Sequence, residues 1–331
     1  MIVWSFAYLL MNHPAVVEPV RGITISCQTY GVEWGRDSFG DELDRLKKMG
    51  VNWVSIHPYA RIHGDGAVTY RYSADNPPSY LTRPIQMAHQ RGMKICIKPH
   101  LAYWGSKFSW RGAIQFDNEI DQNRFESTYR AWILTLATLA READAFIIGT
   151  ELDATAHQKG FWDDLAAQTR TITPAMLGYA ANWDRLDKIE FWTSLDFIGV
   201  QAYFPLSTEH HPTLDQLQAG WSRIADQLRV TSQRWDRPVI LTELGYNASL
   251  SAHMEPWSYQ ETWGNRRDEA LKLQATCLQA ALQTLERERA WLKGCFLWKW
   301  FVGDSHGENF NLDTPLVTQV IQDNWQPIQK P

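Results

Sequence analysis

Short apolar, β-branched runs recur along the chain, and longer amphipathic stretches separate them. Eight such runs are read as strands, over residues 22–28, 51–57, 93–100, 145–151, 176–182, 197–203, 238–243 and 294–300. Nearly continuous apolar character over so short a length is what a strand buried on both faces requires. Helical periodicity fills the stretches between them, over residues 41–49, 83–91, 122–142, 161–171, 186–194, 214–235 and 267–289. In 122–142, Trp132, Leu136 and Leu139 share one apolar stripe. Ser38 is placed to cap the first helix, and the second has Pro84 near its start and Gly92 at its stop. Strand–helix alternation predicts an α/β fold with a parallel sheet, and eight repeats close into a single (β/α)8 TIM barrel. An open, doubly wound sheet is the alternative, but no G-x-G-x-x-G phosphate loop follows any strand. The expected boundaries are an N-terminal segment, residues 1–21, and the barrel, residues 22–331.

Composition narrows the function classes. The chain has 331 residues, 44% of them hydrophobic and 21% charged, which describes a folded globular protein. Its net charge of −5, from 32 basic and 37 acidic residues, offers no polycation for nucleic acid. Cys27, Cys96, Cys277 and Cys295 have no metal-ligand spacing and lie in apolar runs, so they are read as free, buried thiols. Residues 2–11 are apolar but lack a basic flank, and they fall short of the roughly 20 residues that span a bilayer. They are read equally as a signal-peptide remnant or as a stretch that packs on the domain, so export and a cytoplasmic location stand level. No membrane span is expected. Tryptophan is the commonest aromatic residue, with 17 Trp against 13 Phe and 12 Tyr. A core alone does not call for that excess, whereas a surface that stacks on flat apolar faces does.

In a barrel of this kind the chemistry sits at the C-terminal ends of the strands. Those ends carry His57, Lys98, His100, Glu151, Asn182, Gln201, Tyr203, Glu243 and Trp298. Two carboxylates stand out, because Glu151 closes the fourth run and Glu243 the seventh. Counting back by twos reaches Gly149 and Ile147 from the first, and Leu241 and Val239 from the second. With those faces inward, both carboxylates stand at the barrel mouth. Two carboxylates across a barrel mouth suit glycoside hydrolysis, where one protonates the leaving oxygen and the other meets the oxocarbenium-like carbon. Burial and like-charge proximity are expected to raise the pKa of the first while the second stays ionised. His57, His100 and the two glutamates could form a metal site instead. Yet no H-x-H or H-E-x-x-H pairing occurs, and Lys98 sets a positive charge beside His100, so neither a metal nor another cofactor is expected. His210-His211 is read as loop surface.

Five phrases carry a resemblance to a known family. They are Ile95-Cys96-Ile97-Lys98-Pro99-His100, Phe146-Ile147-Ile148-Gly149-Thr150-Glu151-Leu152, Asp196-Phe197-Ile198-Gly199-Val200-Gln201-Ala202-Tyr203-Phe204-Pro205-Leu206, Val239-Ile240-Leu241-Thr242-Glu243-Leu244-Gly245-Tyr246 and Phe296-Leu297-Trp298-Lys299-Trp300. The arrangement resembles clan A retaining glycoside hydrolases and, more narrowly, glycoside hydrolase family 113, whose described members are chiefly β-mannanases. The resemblance runs from about residue 22 to 302. It implies Glu151 as general acid/base, Glu243 as nucleophile, Tyr203 as the group that orients the nucleophile, and Trp298 as the floor under the cleaved sugar. It also implies double displacement with retention, on β-1,4-mannan or manno-oligosaccharides, with the carboxyl groups about 5–5.5 Å apart. One position departs from the clan, where an asparagine that binds the sugar 2-hydroxyl often precedes the acid/base. Here that position is Thr150, so the task is expected to pass to another side chain such as Asn182.

The expected partner is a poly- or oligosaccharide, with no nucleic acid and no membrane. Sugar rings stack on aromatic faces while fixed polar groups take their hydroxyls. Trp104, Trp110, Trp183 and Trp298 are the stacking candidates, and Trp34, Trp257, Trp263 and Trp300 also fall at strand ends or in the loops beyond. Lys98, His100, Asn182, Gln201 and Lys299 are the polar candidates, with His57 and Arg61 in a second rank. Another β-glycan, such as a glucan or an amino-sugar polymer, is the alternative substrate. A non-catalytic carbohydrate-binding barrel is the alternative class, and the presence of both carboxylates speaks against it. Nothing in the sequence bears on oligomeric state.

Overall fold

The apolar runs form eight strands: β1 (Val20–Ile25), β2 (Trp53–Ile56), β3 (Lys94–Ile97), β4 (Ala145–Thr150), β5 (Met176–Asn182), β6 (Phe197–Gln201), β7 (Val239–Leu244) and β8 (Leu292–Trp300). In this computed structural model, which describes residues 18–303 and 309–326, they close into a parallel barrel with neighbours in chain order. Residues 1–17, most of the expected N-terminal segment, lie outside the described residues.

The barrel interior is a packed layer that includes Trp53, Cys96, Ile147, Phe197, Ile240 and Phe296. Its large rings fit because glycines face them. A Cβ on Gly178 would come within 2.3 Å of the Phe197 ring, and one on Gly22 within 2.5 Å of the Phe296 ring. A second, larger core lies between strands and helices and fully buries Trp34, Trp132, Trp162, Trp192 and Trp221.

Seven helices surround the strands: α1 (Asp37–Lys48), α2 (Ser79–Gln90), α3 (Glu119–Leu139), α4 (Lys159–Ile172), α5 (Leu214–Trp235), α6 (Arg267–Arg287) and α7 (Pro315–Trp325). Helix α5 matches the periodicity over its full length and opens with a capping box between Thr213 and Gln216. Ser38 does not cap α1, because Arg36 holds the N-cap position and Ser38 lies in the first turn. Helix α2 begins at Ser79, so Pro84 falls inside it.

The expected helix at 186–194 is absent. Two single 3₁₀ turns, Leu186–Lys188 and Trp192–Ser194, replace it. Buried Phe191 and Trp192 fill that flank instead, and Phe191 stacks on Trp162 of α4 at 5.4 Å. The third apolar run also divides. Lys94–Ile97 stays in the barrel, while His100–Ala102 joins a separate three-stranded sheet with Tyr59–Ile62 and Val68–Thr69. This small sheet carries His100 to the barrel mouth. No described helix is long and apolar enough to cross a membrane. The four cysteines are free thiols, with Cys27 half-buried and the others buried.

Candidate active site

Both carboxylates stand at the barrel mouth, but simple alternation does not carry them there. On β4, Ala145 and Ile147 face the interior as counting predicts. The pairing with β5 then slips between Ile147 and Thr150. Gly149 faces outward, since a Cβ there would lie 2.8 Å from the Trp162 ring. Thr150 comes to lie opposite the interior residue Ala180, with its hydroxyl buried and unpartnered among the described residues. Glu151 follows at φ 55°, a left-handed conformation that costs a non-glycine residue about 1–2 kcal/mol. Its N–H donates to the Ala180 carbonyl at 2.9 Å. On β7 the interior residue is Ile240, whereas Val239 and Leu241 belong to the outer core. The pairing with β6 slips between Leu241 and Glu243, and that slip turns Glu243 inward. One irregularity per strand therefore re-aims each carboxylate, which is what bulges beside active sites do.

The two carboxylates have opposite surroundings. Glu243 is 4% exposed, and Lys98, which pairs with its Oε1, is 1% exposed. Lys98 Nζ also donates to the Thr242 carbonyl at 3.0 Å. Tyr203 Oη donates to Glu243 Oε2 at 2.7 Å, and His100 Nε2 stands 3.5 Å from Oε1. Burial alone pushes a carboxyl pKa up, but the Lys98 ammonium and His100 outweigh it and hold Glu243 well below the usual range. Burial, with the Arg111 and Lys98 charges, pushes His100 down to about 3, so its ring is neutral. His57 stacks on that ring at 4.9 Å and is likewise held far down by burial.

Glu151 is half-buried and pairs with Arg111. Burial raises its pKa, Arg111 opposes, and the negative charge of Glu243 adds to the rise, with a net upward direction. Arg111 is itself anchored, because its Nε donates to the Leu101 carbonyl at 3.1 Å. The result is an ionised carboxylate and a neighbour biased toward its protonated form, facing one cleft.

That cleft has a volume of about 440 Å³ and aromatic walls. Trp298 packs against His57 and His100, with ring centroids 5.3 and 5.9 Å away, and Lys98 Nζ stands 4.9 Å from its ring. Its peptide bond to Lys299 is cis. Trp183 and Trp257 stack at 6.0 Å and 14° along another wall. Asn182 lines the cleft while its amide NH2 donates to Asp153 at 2.9 and 3.1 Å.

Of the candidate residues, Glu151, Glu243, Tyr203, His100, Asn182, Trp110, Trp183 and Trp298 all line this cleft. Four others do not. Lys98 is sealed against Glu243, so its ammonium pairs with that carboxylate and does not reach the cleft. Gln201 is fully buried and accepts from the Thr242 hydroxyl at 2.9 Å. Lys299 is half-buried, with Nζ over the Trp298 and Phe301 rings at 5.4 and 5.1 Å. Trp104 is half-exposed beside the cleft. Trp34 and Trp300 are core residues, not mouth residues. The β1–β8 register slips after Trp298, and Trp300 turns outward to donate Nε1 to Glu42 at 2.9 Å. Trp263 stands outside the cleft with Arg267 over its ring at 4.3 Å.

A sequence model of Glycoside Hydrolase Family 113 matches residues 23–313. The chain belongs to that family. No curated protein matches it by sequence. A family 113 β-mannanase from Alicyclobacillus acidocaldarius, solved with ManMIm, superposes with a TM-score of 0.79 at 21% identity, covering 93% of this chain and 97% of that one. A family 113 β-1,4-mannanase gives 0.77 at 18% identity, covering 93% and 99%. A family 5 mannosidase from Rhizomucor miehei gives 0.60 at 11% identity, covering 93% and 92%. At these identities the likenesses establish the fold of this glycoside hydrolase.

Several cleft residues of the family 113 enzyme have no signature in the sequence. Arg111 and Tyr259 lie in aromatic loops that composition marks, but no spacing ties Arg111 to Glu151. Phe310 reaches the cleft through backbone bonds, taking the Lys299 N–H on its carbonyl and donating its own N–H to Asn247 Oδ1 at 2.9 Å. Asp184 simply follows Trp183 around the loop after β5.

Proposed function

We propose that this family 113 enzyme cleaves β-1,4-linked mannan or manno-oligosaccharides by double displacement with retention. Glu243 is the nucleophile and Glu151 the general acid/base. The observation that carries the reading is the electrostatic asymmetry of the pair. Glu243 is held ionised by Lys98, with Tyr203 fixing its second oxygen, and is thereby ready to attack the anomeric carbon. Glu151 is biased upward and so able to protonate the leaving oxygen. Once the glycosyl-enzyme has formed, the Glu243 charge is gone, and Arg111 favours the ionised Glu151 that must deprotonate water. Trp298 offers the ring face for the sugar at the cleavage point, and Trp110 and the Trp183–Trp257 stack offer faces for its neighbours. Mannan as substrate is supported by the β-mannanases with which the fold is shared.

Thr150 favours one other reading, the same mechanism on a different β-glycan. Its buried hydroxyl is a poor substitute for an asparagine at the sugar 2-position. Manno-, gluco- and N-acetylglucosamine oligosaccharides, digested and followed by NMR at the anomeric proton, decide both points. Cleavage of the manno series with the β-anomer as first product is expected, and Glu243→Gln folds yet turns over nothing. A first-formed α-anomer overturns retention, and residual turnover by the variant overturns the nucleophile. Cleavage of another series alone overturns mannan.

A further inference from the structure

Across the barrel mouth from the Trp183–Trp257 stack, the loops after β1, β2 and β3 build a second aromatic surface. Trp104, 51% exposed, leans on Tyr59 at 5.6 Å and on Tyr103 at 5.7 Å. Tyr103 lines the cleft, and Tyr59 meets the cleft residue His100 edge-on at 6.0 Å, so this surface continues the cleft outward. Tyr30, 55% exposed, lies at its outer end.

Two guanidinium groups bracket Tyr30. Arg61 donates Nη2 to the Tyr30 hydroxyl at 3.2 Å and Nη1 to the Trp104 carbonyl at 2.5 Å. Arg71 stands over the Tyr30 ring at 5.9 Å. Elsewhere on this acidic protein, surface arginines such as Arg45, Arg83, Arg91, Arg124 and Arg130 pair with carboxylates. Among the described residues no carboxylate pairs with Arg61 or Arg71. Their contacts are neutral, and the Arg61 bonds hold one guanidinium in place with its charge uncompensated. A planar guanidinium matches a carboxylate bidentately, and the rings beside it offer a flat face for a sugar.

We propose that this surface is an accessory subsite for a carboxylate-bearing sugar, a uronic acid unit of the glycan chain whose neutral part fills the cleft. The assignment rests on the carbohydrate reading above and narrows its substrate to an acidic or acid-substituted β-glycan. Trp104 takes the ring face, and Arg61 and Arg71 take the carboxylate. Charge-assisted bonds at a partly exposed site correspond to about a tenfold gain in affinity.

Calorimetry with the Glu243→Gln enzyme tests it, because that variant holds its ligand uncut. The probes are β-1,4-manno-oligosaccharides of one length, either neutral, oxidised at C6 to the carboxylate, or sulfated at C6. The carboxylated chain should bind about tenfold tighter than the neutral one, and added NaCl should shrink the difference. Adding Arg71→Gln should reduce the preference, and adding Arg61→Gln as well should abolish it. Arg71 is exposed, so an unchanged thermal melt keeps that variant interpretable. Equal affinities for neutral and carboxylated chains overturn the proposal, as does a preference that survives both substitutions. A sulfated chain bound more tightly than the carboxylated one overturns the ligand class. If the wild type cleaves no mannan yet the arginine-dependent preference is seen, the proposed function fails and the subsite stands. Binding of none of the three chains overturns both.

Discussion

Lys98→Met isolates the electrostatics on which the nucleophile assignment depends. The substitution keeps an apolar stem of similar length and removes only the ammonium that pairs with Glu243. Removing one partner of a buried ion pair typically costs about 3–5 kcal/mol, because the other charge stays buried without compensation. Here Glu243 keeps the 2.7 Å bond from Tyr203 and His100 at 3.5 Å, which places the cost toward the lower end of that range. Whole-protein stability is typically about 5–15 kcal/mol, so the variant should fold but unfold in markedly less urea at pH 7. The pH dependence follows with a definite sign. The Glu243 carboxyl is depressed in the folded state, so its ionisation contributes stability above the unfolded value of about 4.3. That contribution is lost as pH falls through the folded value. Lys98→Met raises the folded value, which weakens this dependence and moves the acid limb of kcat/KM to higher pH. Adding Glu243→Gln removes the stranded charge, so the double variant should be more stable than Lys98→Met alone. Three results together would refute the reasoning: a cost under about 1 kcal/mol, an unmoved acid limb, and no recovery in the double variant.

Three further outcomes are expected. Arg111→Gln removes the charge that opposes the rise in the Glu151 pKa, so the alkaline limb of kcat/KM should move to higher pH. A shift to lower pH would contradict the acid/base assignment. Gly178→Ala should cost about 1–3 kcal/mol in chemical denaturation, since the added methyl enters the Phe197 ring, while Gly160→Ala, with open space around it, should be close to neutral. A crystal structure with a bound manno-oligosaccharide should put the Glu151 and Glu243 carboxyl groups about 5–5.5 Å apart, and a separation near 9 Å would argue for inversion.

The barrel was legible because every strand is a short apolar run and most of the helices are strongly periodic. The expected helix at 186–194 does not form, because the residues around Phe191 and Trp192 have helical spacing but pack as an aromatic plug against Trp162. The small sheet was hidden in the same way. An apolar run that reads as one strand is interrupted at Pro99, whose missing N–H lets the chain leave the barrel and pair His100 with Tyr59 instead. Glu151 and Glu243 were legible as strand-end carboxylates, yet strict alternation along the strands does not bring them to the mouth. Alternation predicts Gly149 and Leu241 inside, and both face out. The tryptophan excess divided for a related reason. Trp298 and Trp300 share a parity, and only the register slip between them sends one to the cleft and the other to the core.

These slips explain why the two carboxylates differ in environment although they occupy equivalent strand ends. Glu243 follows Thr242, whose carbonyl holds Lys98 at 3.0 Å and whose hydroxyl bonds Gln201 at 2.9 Å. The irregularity on β7 therefore seats Glu243 on a closed polar floor that carries a buried positive charge. On β4 the equivalent position before the carboxylate is Thr150, whose hydroxyl has no partner among the described residues, and the strand ends in the left-handed turn at Glu151. That turn carries Glu151 to the half-open rim, where the countercharge comes from the loop residue Arg111 instead of from the barrel. A fixed countercharge below suits the nucleophile proposed above, which must be ionised when it attacks. A countercharge on a loop suits the acid/base proposed above, which changes protonation state twice in each catalytic cycle. Exchanging the two environments by single substitutions is therefore not open to this fold, since the Lys98 position is defined by β3 and the Arg111 position by the loop beyond it.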